Sequence, residues 1–316
     1  MLIDLLKRAE PHIPVLTLVA LVIAVGAIDR TFFAPSTLLV LMSDTMTLFL
    51  MASGATLVIL MGGIDLSIQS VASLTSVIVA ALVPEWGWFA IVAAVAGGCL
   101  AGSIGGLAHT RLKIPSFIAT LAVSGLVVSA AFVISNARSI DIAAANRAAY
   151  FDWMVGETAG IPHEIFIGLA VLLALSFVER RTVFGRLVRA IGSGERAVIA
   201  SGINADRVKL LAFTLSGALA GFAGVVMAGR IASGSPTLAN EFLLPAIAAI
   251  IVGGTALTGG VGSVWRTFVG ALIIAVVRIG MTFVGVSVFA QQIVFGVVLV
   301  AAVAATMDRS KVSIVK

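Results

Sequence analysis

Apolar residues gather along this chain in long runs, near 13–28, 38–61, 68–83, 89–108, 115–135, 162–178, 208–228, 243–258, 265–284 and 289–306, with most charged residues between them. Most of these runs approach the length of about 20 apolar residues that carries a helix across a bilayer. No run shows the period-two alternation of a half-buried strand, and the ten-residue alternating segments of a transmembrane barrel are missing. The pattern therefore predicts an all-α fold, a polytopic membrane helix bundle of about ten transmembrane helices.

Composition narrows the solvent. The 316 residues are 60% hydrophobic and 11% charged, against about 25% charged in an ordinary soluble domain. A water-soluble sphere of this composition would expose a mostly apolar surface, and a disordered chain would need far more charge. Lipid is the solvent that fits. No stretch is left for a separate soluble domain of about 100 residues, so 1–316 reads as a single transmembrane domain. Cys99, the lone cysteine, has no internal disulfide partner and says nothing about redox compartment.

The net charge of +5 matters less than where the charges fall. With the N-terminus inside, Lys7, Arg8, Arg111, Lys113, Arg180, Arg181, Arg186, Arg189, Arg196, Arg207, Lys209, Arg266, Arg309, Lys311 and Lys316 lie on the inner side. Arg30, Arg138, Arg147 and Arg230 lie outside, and Arg278 falls within a span. By the positive-inside rule both termini are cytoplasmic. The basicity is then a topology signal, not a nucleic-acid footprint. Lys7, Arg8 and the run ending in Ala24-Val25-Gly26 imitate a signal peptide, but the run is one of many similar spans, which favours its retention. Trp86, Trp88 and Phe89, with Tyr150, Phe151 and Trp153, read as an outer interfacial belt, and Trp265 as its inner counterpart.

Three segments interrupt this plain pattern. In the first, Gly62-Gly63-Ile64-Asp65-Leu66-Ser67 follows an apolar run, and the glycines permit a left-handed helix end. Asp65 or Ser67 can accept from the next helix's free amides. Asp65 reads either as a cap or as a gating carboxylate at membrane depth. In the second, Gly253-Gly254-Thr255-Ala256-Leu257-Thr258-Gly259-Gly260-Val261-Gly262-Ser263 echoes the first about 191 residues later, a hint of an internal repeat. Its glycines imply a tight turn, and since no Gly-Lys pair occurs in the chain, an ATP-binding phosphate loop is excluded. The third is the basic loop of about 179–207. Gly192 and Gly194 before it and Gly202 after it frame a short helix from Glu195 to Ser201, in which Val198 and Ile199 offer apolar contacts while Glu195 and Arg196 stay wet. This helix reads either as a lever for a soluble partner or as a segment resting on anionic headgroups.

Taken together, Gly54-x-Thr56-x-Val58-Ile59-x-x-Gly62-Gly63-Ile64-Asp65-Leu66-Ser67, the run Arg189-Ala190-Ile191-Gly192 with Ala197 and Ser201-Gly202-Ile203, and Gly253-Gly254-Thr255-x-Leu257-x-Gly259-Gly260-x-Gly262-Ser263 resemble the ribose-type permease subunits of ABC importers. Val284-Gly285-Val286-Ser287 fits the same pattern, and the likeness runs from about residue 37 to 308. Gln69, Arg266 and Arg278 depart from it. The resemblance implies a multi-pass protein of the bacterial inner membrane that pairs with a second permease subunit, as homo- or heterodimer. It also implies a cytoplasmic ABC ATPase, a periplasmic solute-binding protein, and a small polar cargo such as a monosaccharide. The chain itself would be no enzyme and would hold no cofactor, since ATP and Mg belong to the ATPase. Gly194, Glu195, Arg196, Val198, Ile199, Ser201 and Gly202 would form the ATPase-coupling helix.

Polar groups on apolar spans are the candidates for the path or gate: Ser43, Asp44, Thr47, Gly62, Gly63, Asp65 and Arg278. Ser43, Thr47 and Gly54 share one helical face, and Asp44 is the expected partner of Arg278. Alternatives are an ABC permease for branched-chain amino acids or an ion-coupled secondary transporter. An intramembrane enzyme is disfavoured, because His12, His109 and His163 sit singly at span ends and form no metal cluster.

Overall fold

The computed structural model describes residues 13–306. Its helices are α1 (Ile13–Ile28), α2 (Pro35–Leu60), α3 (Ile68–Trp86), α4 (Trp88–Arg111), α5 (Ser116–Ser135), the short α6 (Ala144–Tyr150) and α7 (Asp152–Val155), then α8 (His163–Arg181), α9 (Val183–Ala200), α10 (Ala205–Ile231), α11 (Leu243–Val252), α12 (Val264–Phe283) and α13 (Val288–Thr306). Each apolar run contributes a helix. Six helices, α2 to α5, α10 and α12, are long and apolar enough to cross a membrane. Lys7, Arg8, His12, Arg309, Lys311 and Lys316, on which part of the topology argument rests, lie outside the described residues.

The helices start where local chemistry allows. Pro35 opens α2, where a missing amide costs nothing. The side chains of Thr182, Asn204 and Ser263 accept from the first-turn amides of α9, α10 and α12. Asp29 does the same for a 3-10 turn at Arg30–Phe33, and the Thr31 hydroxyl and amide hold its carboxyl below its ordinary range.

Helix α2 is the axis of the bundle, with every residue from Thr45 to Leu60 buried. Helices α10 and α4 pack closely because glycines line much of their seam. A Cβ on Gly98 or Gly102 would strike the α10 backbone at Gly217 or Phe213, and one on Gly217 would strike the Gly98 carbonyl. Small residues four apart allow this close backbone approach.

Three expectations change. The run 243–258 is not one helix: α11 has ten residues and spans about 15 Å, half of a hydrocarbon core of about 30 Å, because Gly253 and Gly254 end it. Phe151 does not belong to an interfacial belt; it is fully buried and fills the space left by Gly229. Trp86, Trp88, Phe89, Trp153 and Trp265 are exposed. The helical reading also omitted four two-residue strands: β1 (Ile140–Asp141) pairs with β4 (Ser233–Gly234), and β2 (Glu157–Thr158) with β3 (Ile161–Pro162).

Candidate functional site

The three unusual segments converge on one knot. Helix α2 ends with Gly62 at φ 78°, and the amides of Gly62 and Gly63 return to the Ile59 and Val58 carbonyls. The same paired bonds close α11 across Gly254 and α9 across Gly202, each using a left-handed glycine. The two Gly-Gly pairs are out of register, since the first glycine serves at 62 and the second at 254, so the sequence echo is not a residue-for-residue structural repeat. The Gly260 amide donates to the Leu60 carbonyl at 2.8 Å. Gly192 lies against both, and a Cβ there would collide with the Leu60 carbonyl and the Gly260 amide. A hydroxyl pair, Thr56 with Thr267 at 2.7 Å, ties α2 to α12 just above.

Asp65 sits beside this knot, 2% exposed. One oxygen accepts from the Ser67 amide and hydroxyl, and the other from the Ser216 hydroxyl of α10 at 2.7 Å. Ser67 occupies the cap position of α3 without capping it. Asp65 therefore fastens the α2–α3 joint to α10 rather than accepting from the first turn of α3, and it lines neither cavity described below.

A residue that sequence reading passed over links the basic loop to the bundle. Glu179, buried in the last turn of α8, accepts from the Val264 amide at 2.9 Å and pairs with Arg189 of α9. The carboxylate thus meets both a guanidinium and the positive end of α12. Its only sequence signal was a carboxylate directly after an apolar run.

Helix α9 is interrupted at Gly194, where the backbone is extended, so a separate last turn begins at Glu195 as expected. Val198 is buried, whereas Ile199 is 54% exposed, with Arg196, Ala197 and Ala200 also exposed around it. Glu195 does not stay fully wet: it pairs with Lys209 of α10 at 2.6 Å, and Lys113 pairs with Asp206 at 2.9 Å. The segment is thus held to the bundle while presenting an apolar patch outward.

At the other end, a cavity of about 580 Å³ is lined on its polar side by Asp44, Thr47, Arg230, Asn240, Glu241 and Arg278. Asp44 and Arg278 both border it, but they are not partners. Asp44 pairs with Arg230 at 2.7 Å, with Glu164 behind at 3.8 Å, and the Arg278 guanidinium lies over the Phe242 ring at 5.9 Å. The charge count treated Arg230 as a loop residue; it belongs to the last turn of α10 and reaches inward. The lining face of α2 is Asp44 and Thr47, not Ser43, Thr47 and Gly54. Ser43 is buried elsewhere, the Thr47 hydroxyl turns back to the Ser43 carbonyl at 3.4 Å, and Gly54 packs on the backbone of Ser216.

His109 bonds the Ile114 carbonyl and His163 bonds Thr158 and the Asp152 carbonyl. No metal-binding group of His, Cys, Asp or Glu occurs among the described residues.

Long apolar helices whose ends break at glycines mark a multi-pass membrane protein. The chain belongs to the family of permease components of branched-chain amino acid transport systems, whose pattern matches residues 37–303. It is 34% identical over 291 residues to the ribose import permease protein RbsC of Escherichia coli (strain K12), covering 91% of each chain. Likeness to the ribose import permease protein RbsC of Bacillus subtilis is 36% over 303 residues, 94% of this chain and 92% of that one. The fructose import permease protein FrcC of Rhizobium meliloti is 31% identical over 308 residues, 95% of this chain and 86% of that one.

Proposed function

We propose that this chain is the membrane-embedded permease subunit of an ATP-driven importer for a monosaccharide. The relatives import ribose and fructose, and the cavity below Asp44 and Arg278 offers donors and acceptors of both signs, as a polyhydroxylated neutral solute requires. Its volume of about 580 Å³ falls in the usual range of small-molecule sites, roughly 300–1,000 Å³. In this reading the ten helices α1 to α5, α8 and α10 to α13 each enter the bilayer, both termini face the cytoplasm, and the membrane is the bacterial inner one. Because α11 reaches only halfway, the chain beyond β4, residues 235–242, descends as irregular backbone to about the midplane. Such backbone is tolerated at that depth where it lines a water-filled cavity.

The working unit pairs this chain with a second permease subunit, a cytoplasmic ATPase that binds ATP and Mg, and a periplasmic binding protein. The turn from Glu195 to Ser201 is the coupling helix. Movement of that turn reaches the spans through Arg189, Glu179 and the start of α12, and through Gly192 against the end of α2 and the Gly260 turn before α12. This continuity of the exposed turn with the knot is the observation that carries the proposal. A transport cycle also needs partners that favour one state over the other, since equal affinity for both shifts nothing.

The test is uptake of radiolabelled pentoses and hexoses into proteoliposomes holding the permease, its ATPase and its binding protein. Uptake of at least one monosaccharide that requires ATP and the binding protein is expected. Uptake that ignores ATP and follows an ion gradient would contradict it.

A further inference from the structure

A second cavity, of about 590 Å³, opens where the end of α8, the start of α9 and the turn before α12 meet, and it is lined by Arg180, Arg186, Arg189 and Arg266 with Glu179 as the single carboxylate. Glu179 is already engaged by Arg189 and the Val264 amide. Among the described residues Arg180 and Arg186 have no carboxylate partner, and the Arg266 guanidinium reaches only the Gly254 carbonyl, at 3.2 Å. The Nε of Arg189 is shut off from solvent with no acceptor among the described residues, an unusual state for a buried donor. Helix α12 is not the source of the attraction, because Glu179 occupies its first amide.

Apolar surface adjoins this lining: Val261, itself part of it, is 57% exposed, and Val183 and Trp265, close in sequence to Arg186 and next to Arg266, are exposed as well. A dissolved anion gains nothing from such surface, whereas an amphiphile with an anionic head gains from both parts. Basic pockets between helices on the cytoplasmic side suit phospholipid head groups.

We infer that this cavity binds the phosphate of an anionic phospholipid from the cytoplasmic leaflet, with Arg180, Arg186 and Arg266 holding the head group and Val183, Val261 and Trp265 meeting its chains. The inference rests on the proposed orientation of the permease. The lipid lies next to the Glu179–Arg189 pair, so its occupancy bears on the same joint that carries coupling.

The experiment is native mass spectrometry of the full-length chain released from nanodiscs of phosphatidylcholine with phosphatidylglycerol. Wild-type protein retains phosphatidylglycerol selectively, and Arg180→Gln with Arg186→Gln lowers that retention by about thirtyfold. The paired lysine variant, Arg180→Lys with Arg186→Lys, keeps most of it, and monodisperse elution of both variants shows that they are folded. Equal retention of the two lipids, or unchanged retention in the glutamine variant, overturns the inference. Displacement of the lipid by millimolar inorganic phosphate assigns the site to a free anion and overturns it as well. Loss of ATPase co-purification with lipid retention unchanged overturns it in favour of a protein-docking surface. Lipid retention needs neither sugar nor ATPase, so it can fail while the importer reading stands, and the reverse.

Discussion

Glu179 accepts the Val264 amide at 2.9 Å with one oxygen while the other holds Arg189. One buried carboxylate thus joins the basic segment to the start of a helix whose far end carries Arg278 into the outer cavity. Glu179→Gln keeps an acceptor for the amide and loses the charge that holds Arg189. We expect a thermal midpoint lowered by the equivalent of about 1–3 kcal/mol and sugar uptake reduced at least tenfold. Glu179→Ala, which leaves both the Val264 amide and Arg189 without their acceptor, should be worse in fluorescence-monitored unfolding of the purified protein.

Gly192 tests whether the knot is as tight as its backbone contacts imply. A methyl group there meets the Leu60 carbonyl and the Gly260 amide, and neither can rotate away as a side chain would. Gly192→Ala should destabilise by about 1–3 kcal/mol or prevent insertion. Gly125→Ala, in open space on α5, should be neutral or stabilise by roughly 0.5–1 kcal/mol. Expression and thermal stability of the two variants, measured side by side, provide the check.

The outer cavity yields a prediction about specificity. Asp44→Asn leaves Glu164, at 3.8 Å, as the one carboxylate near Arg230 among the described residues. Because Arg230 is 35% exposed, solvent screening limits the stability loss to about 1 kcal/mol. Uptake should nevertheless fall more than tenfold, since the rearranged guanidinium enters the space proposed for the sugar. Arg278→Gln should alter the ranking of competing sugars with little change in stability. Competition by unlabelled sugars in the uptake assay reads both effects.

The exposed patch on α9 makes a separable prediction. Ile199 is 54% exposed, so Ile199→Asp should leave the thermal midpoint within the spread of ordinary surface changes, about 0.5 kcal/mol. Co-purification of the partner ATPase should be lost. A folded variant that still binds and drives the ATPase would remove Ile199 from the docking surface.

The positions of the helices were legible because lipid leaves one strong signal, uninterrupted apolar length. The break at Gly194 and the turn at Gly62 were legible because glycine has few other reasons to stand at a helix end. What the sequence hid was distance. Asp44 was matched to Arg278 because both are rare charges in spans, yet Arg230, discounted as a loop residue, is the one that reaches it. Glu179 gave almost no signal, because its importance comes from two partners 10 and 85 residues away in the chain. The face of α2 toward the cavity was misjudged by one position, which turns a helix by about 100° at 3.6 residues per turn and exchanges Ser43 for Asp44. The length of α11 was overread because apolarity continues past Val252 while the backbone does not.

The central claim is that the turn from Glu195 to Ser201 transmits the state of a partner ATPase to the spans. The most direct measurement replaces residues 195–201 with a Gly-Ser linker in the reconstituted complex and follows ATP hydrolysis stimulated by the binding protein. The account predicts a permease that inserts and stays folded, with stimulated hydrolysis and sugar uptake both abolished. Stimulated hydrolysis at the wild-type rate after that replacement would contradict it.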